Sequence, residues 1–250
     1  MTEFDDVVPA LSEALQDRKY LTLTPVQKAV LSSKLGDSDA LVSAQTGSGK
    51  TVAFGLAIAP TILGLDEQFT QPELPLALVV TPTRELAMQV KAELQWLYKI
   101  AKAQIASCVG GMDMRNERRA LERGTHIVVG TPGRLRDHIE RGSLDVRKLK
   151  AVVLDEADEM LSSGFKETIS GIFRYISKET QICLFSATKT DETVDLTNKI
   201  LGLNPHIVVQ PNSFIIDNDY VLKIKENFKD ASISKTYSGE GIVIINDKAK

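Results

Sequence analysis

The sequence contains few of the residues and segments that mark disulfide-rich, metal-binding or membrane proteins. Only two of its 250 residues are cysteines, Cys108 and Cys183, and both lie in apolar runs typical of buried thiols. Its three histidines are isolated and do not show the spacing of metal ligands. No apolar run approaches the roughly 18 residues of a membrane span, and the acidic start argues against a secretory signal. We therefore expect a soluble protein without a membrane partner, in the cytoplasm, with the nucleus left open.

The sequence also has little excess of either positive or negative charge. The formal net charge is −3, so no overall basic field indicates nucleic-acid binding, and any such contact must come from a local patch. With 43% hydrophobic and 25% charged residues, the composition is that of an ordinary globular protein with a sizeable core. The length suits one large α/β domain, or one domain with an appendage.

Short apolar runs alternate with helical patterns along most of the chain. The strand candidates are residues 40–43, 76–80, 104–109, 126–129, 151–154, 182–185 and 206–209. The helix candidates are residues 51–63, 84–100, 113–122, 132–140, 165–176 and 191–200, and residues 1–35 also look helical. Because the strands are apolar throughout, the pattern predicts an α/β fold whose mostly parallel sheet has helices on both faces.

Residues 44–51, Ala-Gln-Thr-Gly-Ser-Gly-Lys-Thr, predict a phosphate-binding loop between a strand and a helix. Gly47 and Gly49 allow a tight turn that brings backbone N–H groups onto a phosphate. Lys50 supplies a charge for the β- and γ-phosphates, and Thr51 offers a hydroxyl to Mg²⁺. The helix that follows adds the favourable end of its dipole. The predicted nucleotide-binding residues of this loop are Thr46, Gly47, Ser48, Gly49, Lys50 and Thr51.

An acidic pair follows another predicted strand. The run at 151–154 ends in Asp155 and Glu156, where a nucleotide hydrolase needs a carboxylate to hold Mg²⁺ through water and another to orient or deprotonate the attacking water. The predicted metal ligands are therefore Thr51 and Asp155, and the predicted catalytic residues are Lys50, Asp155 and Glu156.

These motifs and several shorter ones, in a fixed order, resemble the first RecA-like domain of DEAD-box RNA helicases over residues 4–210. The matching segments are Thr-Pro-Val-Gln at 24–27, the loop at 44–51, Pro-Thr-Arg-Glu-Leu-Ala at 82–87, Gly-Gly at 110–111, Thr-Pro-Gly-Arg-Leu at 131–135, Asp-Glu-Ala-Asp at 155–158 and Ser-Ala-Thr at 186–188. The resemblance implies a RecA-like domain in residues 1–210, with ATP as substrate and Mg²⁺ as cofactor. Residues 211–250 differ in character, and extra edge strands, a linker or a partly ordered tail stay open for them.

The resemblance also implies how ATP is distinguished from other nucleotides. Gln27 would contact the adenine edge through its side-chain amide, which carries both donors and an acceptor. Tyr20, seven residues earlier, would stack on the adenine. Phe4 is either an upstream aromatic of the same site or an aromatic that packs helices.

The implied RNA-binding residues lie where three strands end and helices begin. They are Pro82, Thr83, Arg84, Gly110, Gly111, Thr131, Pro132, Gly133 and Arg134. Backbone N–H groups at helix N-termini suit phosphates, and two arginines add charge. Such contacts read the sugar–phosphate backbone and not the bases, and the resemblance implies RNA as the ligand. The basic segment at 115–123 either widens this surface or is a solvated helix face.

A third group of residues is implied to couple the two sites. Ser186 and Thr188 would bond to Asp158, the last carboxylate of the Asp-Glu-Ala-Asp segment. This connection would link the state of the nucleotide to RNA binding and to domain closure.

The His-Arg-x-Gly-Arg-x-x-Arg signature of the family's second RecA-like domain does not occur in the sequence. That domain supplies an arginine finger, whose loss lowers phosphoryl transfer by about 10³–10⁵-fold. We therefore expect the ATP-binding half of an RNA helicase, which alone binds ATP–Mg²⁺ and hydrolyses it slowly. Its partners would be RNA and a second RecA-like domain, in cis or in trans. The alternatives are a non-catalytic nucleotide- or RNA-binding module, such as a truncated regulator, and a DNA helicase of the same superfamily.

Overall fold

Strands and helices alternate through most of residues 40–186, after two helices at the start. The computed structural model describes residues 4, 6–32, 35, 38–187 and 196, and the backbone of residues 206–209 and 242–244. Within this part of the chain the helices are α1 (Pro9–Asp17), α2 (Pro25–Ser32), α3 (Lys50–Leu63), α4 (Arg84–Leu97), α5 (Met114–Glu122), α6 (Pro132–Glu140), α7 (Ala157–Ser162) and α8 (Lys166–Phe173). The strands are β1 (Ala40–Ser43), β2 (Ala77–Val80), β3 (Ile105–Cys108), β4 (Ile127–Gly130), β5 (Ala151–Leu154), β6 (Gln181–Ser186), β7 (His206–Val209) and β8 (Ile242–Ile244).

These strands form one sheet in the order β3–β4–β2–β5–β6–β1–β7–β8. Every pair from β3 to β7 is parallel, and β8 is antiparallel to β7. The predicted mostly parallel sheet is therefore confirmed. Strand β8 comes from the segment that follows residue 210, and its Ile242 lies opposite Val209.

Both faces of the central strands β2, β4, β5 and β6 are buried. Successive residues of β5 enter two different cores, Val153 on one side and Val152 and Leu154 on the other. Residues of α1 to α4 line the first core, and residues of α5 to α8 line the second. Burial on both faces is the physical reason why the strands are apolar throughout, as the sequence indicated.

The structure refines the predicted helices at three places. The helical stretch at 1–35 consists of two helices, because α1 ends before Lys19 at a positive φ of 58° and α2 starts at Pro25. Helix α7, directly after the acidic pair, was not predicted as a separate helix. The candidate at 191–200 lies outside the described residues apart from Leu196.

Both cysteines are buried free thiols, as predicted. Burial is the main cause that raises the pKa of Cys108 to about 12, and burial also raises the pKa of Cys183. Among the described residues, no helix has both the length and the apolar character needed to cross a bilayer.

Candidate functional site

The strand ends that carry the predicted motifs lie along one edge of the sheet. In the parallel register Ser43 is the partner of Ser186, and Gly130 is the partner of both Val80 and Cys108. The loops after β1, β5 and β6 therefore occupy one part of this edge, and the loops after β2, β3 and β4 occupy the other. The carboxyl edge of an open parallel sheet is where α/β domains generally bind their ligands.

The phosphate-binding loop, residues 44–51, starts directly after β1 and ends in the first turn of α3. Gly47 and Gly49 have φ of 82° and 89°, in the left-handed region that glycine adopts without strain. Gly49 is the N-cap of α3, so the unpaired N–H groups of the first helical turn face the loop. A Cβ added to Gly47 would meet no atom within 4 Å, which leaves open space beside this residue. This geometry suits an anion.

Lys50 lies at the base of this loop and is buried, with 6% of its surface exposed. Its Nζ donates a hydrogen bond to the carbonyl oxygen of Ala44 at 3.2 Å. The positive charge of Lys50 acts to lower the pKa of both Asp155 and Glu156. The cation that follows β1 therefore faces the carboxylates that follow β5.

The acidic pair directly follows β5. Asp155 is 2% exposed, and burial raises its pKa to about 6, with Lys50 opposing and Glu156 adding to the rise. Its Oδ1 is buried without a hydrogen-bond partner among the described residues. Glu156 is the N-cap of α7 at a φ of 52°, a strained conformation for a residue with a side chain, and burial raises its pKa as well. Asp155 thus has the properties of a cation ligand, and Glu156 has those of a strengthened base.

Gln27, on α2, is packed against the phosphate-binding loop. Its Nε2 donates to the carbonyl of Gly49 at 3.2 Å, and its Oε1 accepts from the N–H of Thr24 at 2.9 Å. The side chain is only 1% exposed. Each amide atom keeps one further hydrogen-bonding position. The contact with adenine, through these remaining positions, stays a prediction.

The ring of Tyr20 is partly buried against Trp96, with centroids 5.8 Å apart and an interplanar angle of 33°. The guanidinium of Arg18 lies 4.8 Å from the centre of the same Trp96 ring. Burial and the charge of Glu93 raise the pKa of Tyr20. Stacking of Tyr20 on adenine stays a prediction. Phe4 belongs to the core under α1, so its packing role is sufficient to explain it.

The end of β6 connects the phosphate-binding loop with the acidic segment. The N–H of Ala44 donates to the carbonyl of Ser186 at 3.1 Å, and the N–H of Ala187 donates to Oδ1 of Asp158 at 3.4 Å. The predicted coupling residues Asp158 and Ser186 thus lie on adjoining segments. Thr188 lies outside the described residues, so its contact with Asp158 stays a prediction.

The predicted RNA-binding turns adjoin one another on the other part of the edge. Oγ1 of Thr83 accepts from the N–H of Leu86 at 3.2 Å and caps α4, and the exposed Arg84 follows it. A Cβ on Gly111 would lie 3.2 Å from Nη1 of Arg84. Pro82 and Pro132 are buried and Thr131 is half-buried, whereas Gly110, Gly111 and Gly133 are exposed.

Arg134 is held inside this surface. Its side chain is 14% exposed, its Nη2 donates to the carbonyl of Met112 at 3.0 Å, and its Nε lies 3.5 Å from Oε2 of Glu117. The predicted contact between Arg134 and a phosphate is untested, but the guanidinium already has a carboxylate partner.

Glu117 is a residue of this surface that sequence reasoning missed. It lies on α5 within the basic segment, whose outer face carries an exposed ion pair of Arg118 and Glu122 at 3.2 Å. Glu117 is instead 5% exposed and accepts from Val109 and from His138. The signal available in the sequence was its position four residues before Leu121, on the one apolar face of this helix.

The comparisons with known proteins agree with this arrangement. The family model described as DEAD/DEAH box helicase matches residues 24–197, more than half of the chain. The DEAD-box ATP-dependent RNA helicase CshA of Geobacillus kaustophilus is 36% identical over 92% of this chain and 49% of its own length. Eukaryotic initiation factor 4A of Caenorhabditis elegans is 38% identical over 77% of this chain and 46% of its own length.

Solved structures show the same fold. A DEAD box protein from the hyperthermophile Methanococcus jannaschii superposes with a TM-score of 0.70 at 35% identity, over 78% of this chain and 52% of that one. The yeast DEAD-box splicing factor Prp28 gives a TM-score of 0.72 at 28% identity, over 81% of this chain and 49% of that one. The chain thus spans about half the length of the relatives it matches. From its family match, its relatives and its RecA-like fold, the chain belongs to the DEAD/DEAH-box helicase family.

Proposed function

We propose that this chain is the ATP-binding half of a DEAD-box RNA helicase, in which ATP binding and hydrolysis drive binding of single-stranded RNA and local unwinding of duplexes. The single observation that carries the proposal is the position of Lys50 against Asp155 and Glu156. One buried cation and two carboxylates with raised pKa values meet beside an open phosphate-binding loop. This combination serves phosphoryl transfer from a nucleoside triphosphate.

The nucleotide would lie along the phosphate-binding loop. Its phosphates would accept from the N–H groups of residues 46–51 and from Lys50, which would exchange its bond with Ala44 for phosphate oxygens. Gln27 and Tyr20 would bind the adenine and give preference for ATP over GTP.

The same residues fit a magnesium ion. Carboxylate and hydroxyl oxygens are the hard ligands that Mg²⁺ prefers, and Asp155 and Thr51 offer one of each. Oδ1 of Asp155 is free to accept a ligand water, since it has no hydrogen-bond partner among the described residues. When bound, Mg²⁺ supplies positive charge that stabilises the transferring phosphoryl group.

Glu156 would act as the base. Water attacks the γ-phosphorus, the bond to the ADP oxygen breaks, and the proton of the water goes to Glu156. Burial raises the pKa of Glu156, which makes its carboxylate a stronger proton acceptor. The bond between Asp158 and Ala187 would transmit the change to the end of β6.

The turns after β2, β3 and β4 would bind the RNA backbone, with Arg84 as the exposed cation. We assign the RecA-like domain to residues 1–210 and treat 211–250 as a tail or linker whose strand β8 pairs with β7 at the edge of the sheet. Because the relatives are about twice as long, we infer that full activity needs a second RecA-like domain, in cis or in trans. Without its arginine finger the chain would hydrolyse ATP slowly. The cytoplasm remains our prediction for its location.

The test is calorimetric titration of the chain with ATP in the presence of Mg²⁺. Wild type should bind, Lys50→Ala should lose binding because the phosphate charge is removed, and Glu156→Gln should keep it. Lys148→Ala is the matched control, because Lys148 is an exposed surface lysine paired with Glu73. Unchanged affinity in Lys50→Ala would show that the site is assigned wrongly.

The alternative is a nucleotide- or RNA-binding module without turnover of its own, such as a truncated regulator. Intact Lys50, Asp155 and Glu156 speak against it. Hydrolysis measured after a second RecA-like domain is added separates the two proposals. Competition between RNA and DNA of one sequence tests the DNA helicase alternative.

A further inference from the structure

A buried carboxylate connects the elements around the predicted RNA turns. Oε1 of Glu117 accepts from the N–H of Val109 at 2.8 Å, directly before the Gly110–Gly111 pair. Oε2 of Glu117 accepts from Nε2 of His138 at 2.8 Å and lies 3.5 Å from Nε of Arg134. Helix α5 is therefore joined to the end of β3 and to α6 through one side chain.

Arg134 contacts the chain on the other side of the glycine pair. Its Nη2 donates to the carbonyl of Met112, directly after Gly111, at 3.0 Å. The Gly110–Gly111 turn is thus held on its N-terminal side by Glu117 and on its C-terminal side by Arg134, and the two side chains form an ion pair. Glycine has the largest conformational freedom of any residue, so a turn of two glycines keeps one shape only when its flanks are fixed.

The same place contains three side chains that could in principle bind a metal ion, since ligand atoms of Cys108, Glu117 and His138 lie within 4.8 Å of one another. Two facts favour the hydrogen-bonded cluster. Both carboxylate oxygens already accept hydrogen bonds, and the Arg134 guanidinium beside them would repel a cation. The thiol of Cys108 also has a pKa raised to about 12, mainly by burial, which disfavours the thiolate that a metal needs.

We propose that Glu117 and Arg134 are positioning residues that fix the Gly110–Gly111 turn so that its backbone can bind an RNA phosphate, and that Arg134 itself does not bind the phosphate. The inference rests on the proposed RNA-binding function. The exposed Arg84, whose Nη1 lies beside Gly111, would supply the positive charge for RNA. Glu117 and Arg134 would instead fix the conformation of the glycine turn. His138 supports the arrangement by donating to Glu117.

The test measures the Kd for a fluorescein-labelled single-stranded oligouridylate by fluorescence anisotropy, with a non-hydrolysable ATP analogue and Mg²⁺ present. Glu117→Gln keeps the size of the side chain but sets an amide N–H against the donors of His138 or Arg134. We expect the Kd for RNA to rise about tenfold, the factor that a charged hydrogen bond carries, with ATP affinity unchanged. Glu122→Gln is the matched control on the same helix, where an exposed carboxylate pairs with Arg118, and it should leave the Kd unchanged.

Arg134→Lys separates positioning from direct charge. Lysine keeps the positive charge but cannot hold Met112 and Glu117 together as the planar guanidinium does. Positioning predicts about tenfold weaker RNA binding, whereas a direct phosphate contact would be largely kept by lysine. The salt dependence of the Kd should also stay that of wild type in Glu117→Gln, while Arg84→Ala should lower its slope by about one.

RNA binding by Arg134→Lys as tight as by wild type would overturn the inference, as would equal affinities of Glu117→Gln and Glu122→Gln. Thermal unfolding of each variant shows whether it is folded, and if Glu117→Gln is not, Arg134→Lys alone decides. A double variant that weakens binding no more than either single variant would support a shared network. If the wild-type chain binds no RNA, the proposed function fails and the inference fails with it. If wild type binds and the variants match it, only the inference fails.

Discussion

Gly49 is the residue at which the phosphate-binding loop, α2 and α3 meet. Its φ is 89°, and a Cβ built on it would lie 2.6 Å from Nε2 of Gln27 and 3.2 Å from Oγ1 of Thr24. Gly47 has a similar φ of 82°, but a Cβ there would meet no atom within 4 Å. An alanine at position 47 would therefore introduce backbone strain alone, whereas an alanine at position 49 would also clash with Gln27.

Gly47→Ala should lower the free energy of unfolding by about 1–2 kcal/mol, the usual cost of a left-handed alanine. Gly49→Ala should lower it further and should also weaken ATP binding, because Gln27 must move. Urea unfolding and nucleotide titration of both variants measure this difference. Equal losses in the two variants would contradict the contact between Gln27 and the loop.

His126 gives a prediction for pH. Its Nδ1 accepts from the N–H of Gln104 at 2.9 Å, its Nε2 lies 3.1 Å from the carbonyl of Thr70, and its ring stacks on Phe69. Burial lowers the pKa of His126 from its ordinary 6.5, so the unfolded chain takes up the proton first as the pH falls. Neutral His126 therefore contributes its full stabilisation at pH values above 6.5, and this contribution is lost as the pH falls below that value.

His126→Gln should therefore reduce the drop in Tm between about pH 7.5 and about pH 5.5, since the variant has no imidazole to protonate. Thermal unfolding of wild type and variant at both pH values measures it. The same drop in both proteins would exclude His126 as the cause.

At the scale of residues, the sequence identified side chains that belong to contiguous motifs. Lys50, Asp155 and Glu156 could be predicted because strand, turn and helix patterns placed them at strand ends. The contact between Glu117 and His138 could not, because they lie 21 residues apart on two helices, and the spacing of Glu117 from Leu121 indicates burial but not the partner. The left-handed backbone of Glu156 was equally beyond the sequence pattern.

At the scale of elements, Gly55 marks a close contact between α3 and α4. A Cβ on Gly55 would lie 2.6 Å from Cδ2 of Leu97 and 3.2 Å from that of Leu94. The hydroxyl of Tyr98 donates to the carbonyl of Gly55 at 2.6 Å, fully buried. Gly55 therefore lets two helices of the first core approach each other directly.

Gly55→Ala should lower the free energy of unfolding by about 1–3 kcal/mol, because the methyl group overpacks a well-packed core. Gly171→Ala, in α8, is the control, since its Cβ would meet only the far end of the long Arg136 side chain at 3.2 Å. There the gain in helix propensity, about 1 kcal/mol, should make the change neutral or stabilising. Chemical unfolding of both variants tests this, and a stable Gly55→Ala would contradict the helix contact.

The strands could be predicted because strands buried on both faces are short apolar runs. Most helices could be predicted because helical patterns of apolar residues lie between these runs. Helix α7 could not, since it begins inside the acidic motif and its six residues form less than two turns. The break between α1 and α2 depends on a positive φ at Lys19, which a lysine gives no reason to expect.

At the scale of the whole molecule, one sheet edge carries two surfaces. The loops after β1, β5 and β6 form the predicted nucleotide side, and the turns after β2, β3 and β4 form the predicted RNA side, with β2 and β5 adjacent between them. The predicted phosphate-binding loop and the predicted base, Glu156, both lie on the nucleotide side. Because the chain spans about half the length of its relatives, we propose that it is one half of a catalytic unit.

The most direct test of this account is the rate of ATP hydrolysis by the chain with saturating RNA, before and after a second RecA-like domain is added in trans. We predict very slow hydrolysis by the chain alone and RNA-dependent hydrolysis once the second domain is present, absent in Glu156→Gln. A turnover of about one per second or faster from the chain alone would contradict the account. So would the lack of any stimulation by the second domain together with RNA.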